Sequence, residues 1–162
     1  MHSEGLQVKA TTVKKRIGMT TSKNGIEFIK RHEGLRLKAY QDAAGVWTIG
    51  YGSTGGVRPG DVINEAQAEA LLREDIRTAE REVNRHKLNI NQNQFDALVS
   101  FTFNVGSGNF RSSTLLKRIK ENPNHPDIKK QFGRWIYAGG KRLPGLVKRR
   151  AEEAKLYFNG KD

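Results

Sequence analysis

The chain contains no cysteine, so no disulfide braces it and folding in a reducing cytoplasm is permitted. No stretch approaches the roughly 18 consecutive apolar residues that a membrane-spanning helix needs. The N-terminal run MHSEGLQVKATTVKKRIGMTTS lacks the apolar centre of a secretory signal. The four histidines, His2, His32, His86 and His125, stand apart and offer no metal-ligand spacing, so neither a metal nor another cofactor is expected. Negative charge is also scarce: 17 Asp and Glu oppose 29 Lys and Arg, a net charge of +12. Such a surface attracts polyanions, whether nucleic acid, an acidic wall polymer or a phosphorylated membrane surface. No nucleic-acid-binding motif of the RNP, zinc-finger or homeodomain kind accompanies the charge. A phosphate-binding loop is excluded as well, because neither GxGxxG after a strand nor a GK[ST] ending occurs.

What is present centres on RHEGLRLKAYQDAAGVWTIGYG, from Arg31 to Gly52. Ile26 and Ile29 recur at helical spacing after a cap at Ser22 or Asn24, and Gly34 ends the helix, leaving Glu33 on its last turn. The negative end of the helix dipole disfavours a carboxylate there, the direction a general acid needs. Leu35, Leu37 and Ala39 alternate with polar residues, Asp42-Ala43-Ala44-Gly45 supplies turn chemistry, and Val46–Gly52 returns as a strand. A hairpin follows, with Asp42 and Thr48 facing each other across it. A carboxyl group that keeps its proton, a second that stays ionised and a hydroxyl between them suit hydrolysis of a glycosidic bond.

The remaining pattern is helical. Residues 1–22 are predicted to be a basic flexible leader, and residues 23–162 one domain. Within it lie a small α/β lobe over about 23–63, a connecting helix over about 64–86 and a helical lobe over about 87–162. Asn64-Glu65-Ala66-Gln67 opens the connecting helix with a capping box. The helix after Asn91 is apolar on most sides and is expected to be the buried centre of the second lobe. A basic helix begins at Ser112 or Ser113, and Pro126 stands in the first turn of another that reaches Trp135. Ala138-Gly139-Gly140 reads as a loop, and Pro144 opens a last helix to about Phe158. The fold class is α+β, mostly helical.

EGLRLKAYQDAAGVWTIGYG resembles the active-site signature of the phage-type lysozymes, the endolysin muramidases related to the lysozyme of the T-even bacteriophages. The likeness continues through FTFNVGSGNFRSSTLLKRI and RWIYAGGKRLPGLVKRRAEEAKLY, and so covers nearly everything after residue 23. It implies a lysozyme-like fold, with the hairpin lobe joined by the long helix to the helical lobe. It implies hydrolysis of the β-1,4 bond between N-acetylmuramic acid and N-acetylglucosamine in peptidoglycan, with inversion, for host cell lysis. Glu33 is then the general acid, Asp42 the second carboxylate and Thr48 its water-positioning partner. Inversion requires the carboxyl groups to stand about 6.5–9.5 Å apart so that a water fits.

Tyr51, Thr54, Phe103, Asn104 and Thr114 occupy matching positions as candidate substrate contacts. Trp135 is assigned to the core, while Arg134 and Tyr137 are candidates for the far side of the cleft. Ser53 stands where the T-even lysozyme has a histidine, so an ion pair made there is absent. A basic residue between Arg142 and Arg150 is expected to approach Glu33 and to oppose the effect of the helix dipole. The implied partner is peptidoglycan, with nonspecific attraction of the basic chain to anionic envelope surfaces, no specific nucleic acid, and a monomeric state. The implied location is the host cytoplasm, with release to the wall through a lesion made by a holin. Two other readings are a nucleic-acid-binding protein, favoured only by charge, and a wall-binding module without catalysis, opposed by the presence of all three catalytic residue types.

Overall fold

Side-chain caps fix where the helices begin. In a computed structural model that describes residues 18–159, Ser22 Oγ accepts from the Gly25 N–H at 3.1 Å and opens α1 (Lys23–Glu33). Asn64 caps α2 (Glu65–Asp75) and Asn91 caps α4 (Gln92–Val105), each in a reciprocal capping box with the glutamine three residues on. Ser113 caps α6 (Thr114–Glu121), and Pro144 fills the first turn of α8 (Pro144–Phe158). These contacts satisfy amide donors that a helix start leaves without partners. Between them lie α3 (Arg77–Arg85), α5 (Ser107–Ser112) and α7 (Ile128–Phe132).

The small lobe is built on β1 (Arg36–Gln41) and β2 (Trp47–Gly50), paired antiparallel with Arg36 opposite Gly50 and Tyr40 opposite Thr48. The register shifts between those two pairs, marking a bulge. On the other edge of β1, Ala39 N–H donates to Asp61 O and Ile63 N–H to Leu37 O, both at 2.9 Å, so the segment after the glycine-rich run flanks the hairpin. The helical lobe surrounds α4, whose Phe95, Leu98, Val99 and Phe101 are buried, as its sequence predicts. The neighbours of α4 are α1, α3, α5 and α8.

Four expectations are corrected. The connecting helix is two segments that meet at Ile76, where ψ is −8°. Its hydrogen-bond ladder continues through the bend, with Ile76 N–H to Leu72 O and Glu80 N–H to Ile76 O. The segments pack on different partners, α2 on β2 and α3 on α4 and α5, and the bend lets one chain segment serve both. The loop at residues 138–140 is the turn of a second hairpin, β3 (Tyr137–Ala138) with β4 (Lys141–Arg142). Gly139 and Gly140 have φ of +57° and +78°, the geometry a tight two-residue turn demands. The helix expected from Pro126 to Trp135 occupies only Ile128–Phe132. Finally, the part of the leader from residue 18 onward is anchored. Met19 N–H donates to Asn84 Oδ1, Thr21 donates through N and Oγ1 to Glu80 Oε2, and Ser22 N–H donates to Asp96 Oδ1. Residues 1–17, where most of the expected leader falls, lie outside the described residues.

One buried carboxylate ties α3 to α5. Glu82 accepts from Arg111 Nη2 at 2.7 Å and lies 2.8 Å from His86 Nε2. Burial alone would raise its pKa, but the hydrogen bonds and charges of Arg111 and His86 outweigh it and hold the carboxyl at about 2. A depressed folded-state pKa adds stability that is complete above the unfolded value near 4.5 and lost as pH falls through the folded value. The expected outcome is that Glu82→Gln lowers stability at neutral pH by about 2–3 kcal/mol and flattens acid destabilisation between pH ~5 and ~2, as followed by urea unfolding at several pH values.

Candidate active site

Glu33 is the last residue of α1, stopped by Gly34 with φ +75°. Its side chain lies between the two lobes. Arg149 Nη1, from α8, donates to Glu33 Oε2 at 2.7 Å, which answers which basic residue near the C-terminus reaches it. The other oxygen, Oε1, lies beside Gly52, where a β-carbon would stand 3.7 Å from it. Gly52 has φ +99°, a backbone conformation that L side chains rarely adopt. Next to Glu33, His32 Nε2 lies 3.0 Å from Glu152 Oε1. Burial, reinforced by the charge of Arg149, pushes the His32 imidazole below its ordinary pKa.

Asp42 sits at the exposed tip of the first hairpin. Its Oδ1 accepts from the amides of Ala44 and Val46 at 2.8 and 2.9 Å, which fixes the carboxylate plane. Its Oδ2 has no hydrogen-bond partner among the described residues. Thr48 is buried and donates from Oγ1 to Val46 O at 2.9 Å, leaving lone pairs to accept from a ligand or water. Its pairing corrects one detail. Thr48 stands opposite Tyr40, while Asp42 bonds across the turn to Val46. Asp42 and Thr48 therefore share a face of the hairpin as diagonal neighbours, not as a directly opposed pair. Glu33 is at the base of the hairpin, Thr48 midway and Asp42 at the tip.

The candidate substrate contacts separate by burial. Asn104 is exposed, and its Oδ1 accepts from Arg150 Nη2, which connects it to the network around Arg149. Phe103 is half-buried against the core, and Thr54 is exposed. Thr114 lines a hollow of about 310 Å³ with Ser112, Ser113, Gln131, Arg134 and Trp135. Tyr51 is only 7% exposed and packs in the core, with Lys30 Nζ 5.6 Å from its ring centre. Trp135 packs edge-on against Phe101 at 5.8 Å, as a core residue should, whereas Tyr137 is exposed. At Ser53, where the T-even lysozyme has a histidine, the hydroxyl donates to Asp75 Oδ2 at 2.6 Å. The site also contains residues that sequence reading missed: Glu153 and Ser100 bind Arg149 from inside the helical lobe. The signal for Glu153 was its place three and four residues after a double arginine on the last helix, within reach of both.

A carboxyl at a helix end, facing a hairpin that carries a second carboxyl and a threonine, supplies the groups that hydrolysis of a glycosidic bond uses. A family model described as phage lysozyme matches residues 30–153. An endolysin of Acyrthosiphon pisum secondary endosymbiont phage 1 is 47% identical over 144 residues, spanning 86% of this chain and 98% of that protein. A SAR-endolysin of bacteriophage PS119 is 46% identical over 134 residues, spanning 80% of this chain and 78% of that one. Among solved structures, an endolysin from Escherichia coli O157:H7 phage FAHEc1 superposes with a TM-score of 0.81 at 37% identity, over 88% of this chain and 95% of that one. The chain belongs to the phage lysozyme family. It is a glycoside hydrolase of the muramidase type, an endolysin that lyses peptidoglycan.

Gly52 offers a direct check on the geometry around Glu33. Gly52→Ala is expected to cost about 1–2 kcal/mol of stability through backbone strain and to reduce lysis of purified peptidoglycan several-fold, measured by thermal unfolding and turbidity loss.

Proposed function

We propose that this muramidase cleaves the β-1,4 bond between N-acetylmuramic acid and N-acetylglucosamine with inversion, using Glu33, Asp42 and Thr48. The observation that carries the reading is that Glu33 stands at the base of the hairpin bearing Thr48 and Asp42, with Oε1 beside Gly52 and only Oε2 taken by Arg149. A proton on Glu33 Oε1 passes to the leaving glycosidic oxygen while Oε2 accepts from Arg149. The developing positive charge on the sugar is stabilised by Asp42. A water donates one hydrogen to Asp42 Oδ2 and the other to Thr48 Oγ1, directing a lone pair at the anomeric carbon. The water attacks the face opposite the departing oxygen and Asp42 takes its proton as the new C–O bond forms, so the product has the opposite anomeric configuration.

Asn104, Phe103, Thr54 and Thr114 are assigned to substrate contact, Asn104 foremost because it joins the ion network behind Glu33. The basic surface holds the enzyme on anionic envelope polymers, and the chain acts as a monomer. No helix among the described residues is long and apolar enough to cross a membrane. The route from host cytoplasm to wall, through a lesion opened by a holin, belongs to the same proposal.

Glu33→Gln is expected to abolish clearing of purified peptidoglycan while the unfolding temperature holds; undiminished clearing would sink the acid assignment. Proton NMR of the first product formed should show the α-anomer, and a β-anomer would replace inversion by retention. Raising the salt concentration well above physiological should weaken binding to purified walls, read by sedimentation, because charges more than about 8 Å apart are already screened at 0.15 M.

A further inference from the structure

The hydrolytic reading leaves unused a carboxylate sealed inside the helical lobe. Glu153, on α8, is 0% exposed, and both its oxygens are engaged. Oε2 accepts from Ser100 Oγ at 2.6 Å and from Arg149 Nε at 3.2 Å, and Oε1 accepts from Arg150 Nη1 at 2.9 Å. All three nitrogens of Arg149 are thereby placed. Nε faces Glu153, Nη2 lies 3.2 Å from both the carbonyl and the hydroxyl of Ser100, and Nη1 bonds Glu33. A guanidinium is planar, so holding two of its nitrogens sets the direction of the third.

We propose that Glu153 is a positioning residue for the hydrolysis: it anchors the Nε edge of Arg149 and thereby sets the orientation of the Glu33 carboxyl. A second arm extends from the same carboxylate. Arg150, held by Glu153 Oε1, donates to Asn104 Oδ1 and lies with its guanidinium carbon 5.1 Å from the centre of the Phe101 ring. One buried charge thus aligns two arginines, one against the acid and one against a candidate sugar contact.

Packing does not account for this arrangement. A buried ion cluster seldom adds net stability over apolar side chains of similar volume. Here the cluster also leaves Arg150 Nε buried without a partner among the described residues. On the same helix, Ala154 and Tyr157 serve the core without charge. What the cluster provides that apolar residues would not is a fixed direction for Arg149.

The inference rests on Glu33 acting as the acid. Its test is the isosteric Glu153→Gln, assayed on soluble peptidoglycan oligomers with rates normalised to folded protein. The expected result is a fall in kcat of about tenfold or more with KM changed less than about twofold. Glu153→Asp, which keeps the charge, is expected to recover part of the loss. If Glu153→Gln does not fold, Ser100→Ala removes only the hydroxyl tie and is expected to lower kcat about threefold at unchanged KM. A purely structural role would reduce the amount of folded enzyme and leave kcat per folded molecule alone. A kcat within about twofold of the parent in the folded variant, or in Ser100→Ala where that variant stands in, overturns the inference. Glu33→Gln assayed alongside separates the two ideas. If it is active, the acid assignment fails; if it is inactive while Glu153→Gln behaves as the parent does, only the positioning role fails.

Discussion

The contact between Arg149 and Glu33 joins residues 116 positions apart, and much of the architecture follows from the need to make it. A guanidinium that is 95% buried must be compensated on every side, and removing one partner of such a group typically costs about 3–5 kcal/mol. To deliver Arg149, α8 must lie along α4; to receive it, α1 must end at Glu33. Gly34 enforces that ending, and the chain then has only Leu35 before β1 begins. The acid, the base of the hairpin and the arginine are therefore set by one short piece of backbone and one helix-to-helix packing.

The helix α4 is the spine of this arrangement in two senses. Its apolar residues fill the core, but Asp96, Ser100 and Asn104 recur every fourth residue and so run along one side of it. Each ties down a different part of the chain. Asp96 receives Ser22 at the start of α1, Ser100 bonds Arg149 and Glu153, and Asn104 accepts from Arg150. Burying polar side chains without partners is costly, so each acts as a specific connector rather than as filler. The stripe leads from the cap of α1, which ends at Glu33, to the candidate sugar contact Asn104. Packing and function share one helix.

Much of this was legible in the sequence wherever the signal was local. Asn64 and Asn91 cap because their side chains reach amides two or three residues on, a rule that needs no tertiary knowledge, while Ser22 against Asn24 and Ser113 against Ser112 were separated only by the structure. The hairpin was legible for the same reason, from alternation and turn residues. Glu33, Asp42 and Thr48 stood out only once the ordered motifs were taken with the spacing. The bend at Ile76 was not legible, because it answers to two packing partners and not to a proline or glycine. The turn at Gly139 and Gly140 looked like a plain loop because its strands are two residues long. Nor was the burial of Tyr51 legible, since it depends on α2 lying over the hairpin. Arg149 and Glu153 were least visible of all. Charged residues on a terminal helix usually face solvent, and only the packing of α8 on α4 turns these inward.

The substitution at Ser53 shows what that inward turn changes. In the resemblance to the T-even lysozyme this position carries a histidine able to form an ion pair, whereas here a hydroxyl donates to Asp75. A serine has no charge to gain or lose near neutral pH, so the tie between the hairpin lobe and α2 lacks the histidine switch. Charge-based links are concentrated elsewhere, at Glu82 with Arg111 and His86, and at Glu153 with Arg149 and Arg150. The first clamps the outside of the helical lobe and depends on an ionised carboxylate. The second sits behind Glu33, where burial pushes the Glu153 carboxyl up against the pull of its two arginines. Most of the chain's positive charge is displayed to solvent. The two arginines turned inward lie where a fixed direction matters more than attraction, at the back of the residue proposed to transfer the proton.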